Sequence, residues 1–282
     1  MNIEEALKDA EQALSSCSDS ARLDAELLLS HTLACQRTYL YAHSKDLLSE
    51  SYEHTFREWI ELRKKSIPIA YLLGEKEFWS LKLKLSTKTL IPRPATESII
   101  EHILQLPLPP QARICDLGTG SGAIALSLGK ERPNWHITAT DIQANALSIA
   151  SANAKHYQLE NIQFLWSDWF DKLPQKQFDI IVSNPPYIDA KDPHLFQGDV
   201  QYEPMKSLVS PEQGFADLFH LIQTAKQHLH PQGFIILEHG YQQQEILLEA
   251  FAQAGFSDVR GYRDHEGLPR FCVGQKNEQT ST

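Results

Sequence analysis

From residue 112 onward the chain alternates strand with helix, and that rhythm constrains the fold more than any other feature. "ARICDLG" (112–118) reads as a buried strand and "SGAIALSLGKE" (121–131) as the helix that follows. "HITATD" (136–141) is the next strand, followed by a helix over 143–157 and the strands "IQFLWSD" (162–168) and "FDIIVSN" (178–184). A helix over about 212–229, the strand "FIILEHG" (234–240), a helix over about 242–254 and strands near 256–262 and 270–274 complete the series. Such alternation calls for an α/β fold, a mostly parallel seven-stranded sheet covered on both faces by helices. Trp166 is expected in the core of its strand. The polar tail "QKNEQTST" (275–282) is expected to be disordered.

The first 65 residues follow a different period. No glycine occurs before Gly74 and no proline before Pro68. Ser20 can cap a helix whose Leu23, Leu27 and Leu28 recur at helical spacing, and Tyr52, Phe56, Trp59 and Ile60 form a second stripe. A small helical domain over 1–70 is expected. "FWSLKLKLS" (78–86) then alternates leucine with lysine, a half-exposed strand of a hairpin, and Pro92 and Pro94 keep "LIPRPATE" (90–97) extended up to a helix near Thr96. Residues 71–95 therefore read as a hairpin and linker, and 96–282 as the α/β domain.

Net charge narrows the partners. The chain carries −10 formally, with 14 acidic and 11 basic side chains through residue 85 and 22 and 15 beyond it. A protein that grips a phosphate backbone usually has the opposite sign on at least one domain, so stable nucleic-acid binding is not expected. Arg63, Lys64 and Lys65 read as a solvated helix end. No apolar run approaches the roughly 18 residues of a membrane span. The acidic start "MNIEEALKDAEQ" lacks the regions of a signal peptide, and Cys17, Cys35, Cys115 and Cys272 are unpaired in spacing. A cytoplasmic monomer without membrane attachment or metal is expected, since the 12 histidines show no ligand grouping either.

"DLGTGSG" (116–122) lies where the first strand of the alternating region turns into its helix. Gly118, Gly120 and Gly122 let the backbone turn tightly and approach a ligand, while the helix N-terminus points free N–H groups at it. Thr119 and Ser121 complete the loop. Asp141 ends the next strand, where a carboxylate can accept hydrogen bonds from ribose hydroxyls. A nucleoside-containing cofactor follows, either a dinucleotide or S-adenosylmethionine. Gly118, Gly120 and Ala123 also satisfy the dinucleotide pattern, whereas Asp116 favours a cofactor bearing an ammonium group over one bearing a pyrophosphate.

The strand over 178–184 ends in "SNPPY" (183–187), and two prolines cannot extend a ladder. Asn184 offers a side-chain carbonyl and Pro185 a backbone carbonyl, both held extended by the proline that follows. Two fixed acceptors facing the N–H bonds of a planar amide would align its weakly nucleophilic nitrogen and favour the charge it develops on alkylation. Pro186 stiffens the segment and Tyr187 can stack on a flat group. His239 and Glu238 in "LEHG" read as structural.

"DLGTGSG" followed by "NPPY" resembles the Rossmann-like class I S-adenosylmethionine-dependent methyltransferases that modify amide or exocyclic nitrogens. "AYLLGEKEFW", "LIPRPATE", "YEPMKSLVSPEQG", "LEHGYQQ" and "DHEGLPRF" extend the likeness over nearly the whole chain, toward the protein-(glutamine-N5) methyltransferases that act on class 1 peptide chain release factors. The resemblance implies S-adenosylmethionine as cofactor and the glutamine of a Gly-Gly-Gln loop as target. It implies that Gly118 to Gly122 cradle the amino-acid part of the cofactor, that Asp141 binds its ribose and that Asp168 and Trp169 flank its adenine. It further implies that Asn184 to Tyr187 hold the glutamine, Asn184 also bordering the cofactor, and that the helical domain docks the release factor. Ala95 departs from the pattern, which carries an acidic residue there in "PRPxTE". The alternative is an N-methyltransferase acting on an exocyclic amino group of a base, adenine N6 or guanine N2, since the same clamp suits it. An oxidoreductase would leave "NPPY" without a role, and a non-catalytic adaptor would leave the whole crevice without one.

Overall fold

The computed structural model describes residues 1–174 and 177–278. The chain divides into two compact units: Met1–Glu75 together with Pro193–Tyr202, and Lys76–Asp192 together with Glu203–Thr282.

Helices α1 (Ile3–Leu14), α2 (Ala21–Thr32), α3 (Arg37–Ala42), α4 (Glu50–Arg63) and α5 (Ile69–Leu73) build the first unit. Asn2 and Glu5 form a reciprocal capping box that starts α1, the Asn2 side chain accepting from Glu5 N at 2.9 Å. Ile3, Leu7, Leu14, Leu28, Leu29, Phe56 and Ile60 form its core. The stripes are narrower than their spacing suggests, because Leu23 and Tyr52 are exposed. Ser20 precedes α2 but caps nothing. Its backbone is away from the extended capping conformation, and its hydroxyl donates to Asp24 Oδ1 instead.

Arg63 also departs from expectation. It is 4 % exposed, with its guanidinium donating to Asp24 at 2.8 Å, to Asp199 at 2.5 Å and to the Ile67 carbonyl at 3.1 Å. A buried guanidinium needs such partners, and two carboxylates from distant stretches supply them. Desolvation opposes its charge, yet the two carboxylates leave it more basic than a free arginine. Tyr202 donates its hydroxyl to the Lys65 carbonyl. These bonds explain why residues 193–202 pack with the helices.

In the second unit, strands β1 (Glu75–Phe78) and β2 (Leu81–Lys84) form the hairpin, with Leu81 and Leu83 buried and Lys82 and Lys84 exposed. Arg93 precedes a short 3-10 turn (Pro94–Thr96) and helix α6 (Glu97–Gln105). Then come β3 (Arg113–Leu117), α7 (Ala123–Glu131), β4 (His136–Asp141), α8 (Ala144–His156), β5 (Ile162–Trp166) and β6 (Phe178–Ser183). A one-turn α9 (Pro211–Gly214), α10 (Ala216–Ala225), β7 (Leu229–Glu238), α11 (Gln244–Gln253), β8 (Ser257–Arg263) and β9 (Pro269–Gln275) end it.

The sheet runs β5-β4-β3-β6-β7-β9-β8, parallel except that β9 is antiparallel to both neighbours. Two apolar clusters cover its faces, one around Ile99, Ile114, Leu126 and Ile180 and the other around Leu117, Ile181, Leu221 and Phe251. Trp166 does not join either core. It lies on the outer strand and is 55 % exposed, its indole N–H donating to the Ile142 carbonyl at 2.9 Å. The tail is ordered at its start, where the Lys276 ammonium donates to the carbonyls of Lys226 and Leu229. Residues 279–282 lie outside the described residues.

Strand order positions the crevice. The chain moves outward from β3 through β4 to β5, then returns to lay β6 against the other edge of β3. Ligands bind beyond the carboxyl ends of strands at such a reversal. Leu117 pairs with Ser183 across β3 and β6, so Gly118 and Asn184 leave adjacent strands side by side.

Candidate active site

A cavity of about 370 Å³ opens there, within the usual range for small-molecule sites. Gly118, Gly120, Asp141, Asp168, Trp169, Asn184 and Pro186 line it. Seven of the residues singled out from sequence are thus brought to one wall, from the ends of four strands.

The glycine loop is shaped by its backbone. Gly118, Gly120 and Gly122 have φ of 70°, 58° and 89°, which side-chain-bearing residues rarely adopt. A Cβ on Gly120 would meet nothing within 4 Å, so its backbone is open to a ligand. One on Gly122 would stand 2.3 Å from Leu126 Cδ1, so that glycine serves close packing of α7. Thr119 and Ser121 are buried away from the cavity lining. Thr119 donates to Asp116 Oδ2 at 2.6 Å, and the Ser121 carbonyl accepts from Asn153 at 3.0 Å.

Asp116 does not line the cavity; its Oδ2 accepts from Thr119 and from Ala125 N at 3.2 Å, bracing loop to helix. Burial pushes its carboxyl up to about 7 against those two hydrogen bonds, with the nearby Asp141 charge acting in the same direction. Asp141 is held by Gly120 N at 3.0 Å and Gln143 N at 2.8 Å, which oppose the upward push of burial on its carboxyl.

Beyond β6, Tyr187 N and Ile188 N donate to the Leu208 carbonyl, and Gln243 Nε2 donates to the Tyr187 carbonyl at 3.0 Å. These bonds fix the backbone that follows the two prolines. Pro185 is buried and outside the cavity lining. The Tyr187 ring packs on the second core cluster, its hydroxyl donating to Glu238 Oε1 at 3.4 Å. Asn184 Nδ2 donates to Thr96 Oγ1 at 3.4 Å, and Thr96 donates to Glu238 Oε2 at 2.6 Å. The loop carrying Ala95 is therefore organised by its neighbours, Thr96 here and Arg93, which pairs with Glu203.

Sequence reasoning missed Leu90, Ile142, Gln143, Lys206, Ser207, Val209 and Asp217, which also line the cavity. Ile142 was discoverable as an apolar residue directly after the strand-end carboxylate, and it is 53 % exposed.

The lining contains three carboxylates, Asp141, Asp168 and Asp217, against one ammonium, Lys206. That balance suits the sulfonium and ammonium charges of S-adenosylmethionine and repels a dinucleotide diphosphate. The cavity size, the Asp141 carboxylate for a ribose and the apolar surfaces of Ile142, Trp169 and Val209 for a base fit the same molecule.

Comparison with known proteins agrees. Residues 93–198 match the methyltransferase small domain and residues 5–74 the PrmC N-terminal domain. A release factor glutamine methyltransferase of Shewanella oneidensis is 44% identical over 273 residues, spanning 97% of this chain and 96% of that protein. Proteins of the same name from Salmonella typhimurium and Escherichia coli are 48% and 46% identical over 259 residues, 92% of this chain and 93% of each. Among solved structures, a methyltransferase from Pyrococcus furiosus aligns with a TM-score of 0.56 at 19% identity, covering 77% of this chain and 99% of that one. The hMettl16 catalytic domain aligns with 0.58 at 18% identity, covering 72% and 78%. The last two share the fold. With full-length relatives above 40% identity, the chain belongs to the release factor glutamine methyltransferase family.

Proposed function

We propose that this enzyme methylates the side-chain amide nitrogen, N5, of the glutamine in the Gly-Gly-Gln loop of class 1 peptide chain release factors. The observation that carries the reading is the pairing of Leu117 with Ser183, which sets the glycine loop and Asn184 at one cavity. S-adenosylmethionine, when bound, supplies an electrophilic methyl group. Gly118 and Gly120 would face its amino-acid part, Asp141 its ribose, and Asp168 and Trp169 its adenine.

The residues of the chain align and polarise the nucleophile. Asn184 Oδ1 and the Pro185 carbonyl accept from the two N–H groups of the glutamine amide. Among the described residues no donor occupies either oxygen. Held this way, the nitrogen lone pair is directed at the methyl group, and the positive charge it gains meets two fixed dipoles. The alkylated nitrogen is acidic enough to lose its proton to solvent, so no general base is needed. The helical unit, including residues 193–202, provides the docking surface for the release factor. The enzyme works as a monomer, without stable nucleic-acid binding.

The test is intact-mass and peptide-mapping analysis of a release factor incubated with the enzyme and S-adenosylmethionine. One added methyl on the Gly-Gly-Gln glutamine supports the reading. Methyl transfer to nucleic acid with none to the factor would replace it with the base-modifying alternative.

A further inference from the structure

Behind Asn184 lies a buried chain of hydrogen bonds that the proposed chemistry does not itself require. Glu238 is wholly buried and Thr96 is 3 % exposed. Thr96 donates to Glu238 Oε2 at 2.6 Å and accepts from Asn184 Nδ2 at 3.4 Å. A hydroxyl has one proton. If an ionised carboxylate takes it, only a lone pair is left for Asn184, and the amide must turn its NH₂ inward and its oxygen toward the cavity. If Glu238 is protonated, it donates to Thr96, the Thr96 proton becomes available to Asn184 and the opposite amide orientation becomes satisfiable.

We propose that Glu238 and Thr96 are positioning residues that set the Asn184 amide, so that its oxygen and not its NH₂ faces the substrate. The proposal deepens the clamp and rests on that functional reading. The groups facing Glu238 are Thr96, Tyr187 from the loop after β6, Arg270 from β9 and Arg93 ahead of α6. Arg270 is paired with Asp264 at 2.9 Å and Arg93 with Glu203. The adjacent His239 is engaged with the Gly240 carbonyl and with Cys272 Sγ. Burial raises the Glu238 carboxyl above its ordinary range, while Thr96, Arg270, Tyr187 and Arg93 each favour the ionised form.

Two variants and one conservative partner test the relay. Thr96→Val should lower kcat about tenfold, the effect expected for one hydrogen bond of this kind. It should leave the KM for release factor and the affinity for S-adenosylhomocysteine within about twofold, and Thr96→Ser should restore kcat. Ionised Glu238 takes the Thr96 proton, so kcat should fall as acid protonates that carboxylate, and this acid limb should be absent in Glu238→Gln, where nothing titrates at that position. Equal impairment in the valine and serine variants, a wild-type kcat in the valine variant, or an unchanged acid limb in Glu238→Gln would overturn the proposal.

Proton exchange of the Asn184 side-chain amide in ¹⁵N-asparagine-labelled protein reads the same relay without turnover. It should be slow in the wild type and about tenfold faster in Thr96→Val. If no methyl reaches the release factor while exchange still responds, the functional reading fails and the relay stands. Methyl transfer with exchange unaltered by Thr96→Val contradicts the relay alone.

Discussion

Ser183 Oγ donates to the Leu117 carbonyl at 2.7 Å, clipping the last residues of β6 and β3 together. The glycine loop starts at Gly118 and the acceptor segment at Asn184, each one residue beyond the clip on its strand. A one-residue slip between these strands would turn each side chain to the opposite face of the sheet, so register and site geometry are one property.

Asp141→Ala should weaken S-adenosylhomocysteine binding by about ten- to a hundredfold, since hydrogen bonds to a charged acceptor contribute about 1.5–3 kcal/mol. The loss includes slackening of the loop, because Gly120 N and Gln143 N lose their shared acceptor. Isothermal titration calorimetry checks this, and an unchanged affinity would remove Asp141 from the cofactor site.

The glycines should separate stability from binding. Gly122→Ala places a methyl 2.3 Å from Leu126 Cδ1 and 3.2 Å from Ala150 Cβ, so it should cost about 1–3 kcal/mol and lower Tm. Gly120→Ala meets no neighbour, and beyond the backbone strain of its left-handed φ it should act mainly on cofactor affinity. Thermal melts with and without S-adenosylhomocysteine measure both effects; the reverse assignment would contradict the loop geometry.

Asp116 makes a pH prediction. Its folded-state pKa of about 7 stands above the ordinary aspartate value of 3.8, so its carboxyl favours folding most at pH below 3.8. That contribution declines as pH rises toward and through about 7, because unfolding then releases a proton. Asp116→Asn keeps both hydrogen bonds without ionising. Relative to the wild type it should gain stability between pH 4 and pH 7, by up to roughly 4 kcal/mol at 1.36 kcal/mol per pH unit. Denaturant titrations across that range decide it, and parallel stability curves for the two proteins would show that Asp116 does not titrate there.

The order of strands and helices was legible because each strand is a short apolar run and each turn is marked by glycine, proline or a polar cluster. The cofactor loop was legible because glycine spacing and a strand-end carboxylate announce themselves locally. Long-range placement was not. Trp166 has the composition of a core residue but lies on the outermost strand, and no local pattern encodes which strand is outermost. Arg63 looked like a surface helix end because its partner Asp199 lies 136 residues away. Lys206 reaches the cavity from a stretch with no period and Asp217 from the first turn of α10, where nothing local marks it as facing a site. Thr119 and Ser121 sit in a binding motif yet are buried behind it.

The clamp formed by Asn184 is tested most directly by comparing catalysis with cofactor binding in Asn184→Ala, using purified release factor as substrate. Removing one fixed dipole from a site of developing charge should cut kcat by about 10²–10³-fold. S-adenosylhomocysteine affinity, measured on the same preparation, should change by less than about threefold. A variant that keeps its kcat, or that loses turnover and cofactor affinity in equal measure, would contradict the assignment of residues 184–187 to the amide.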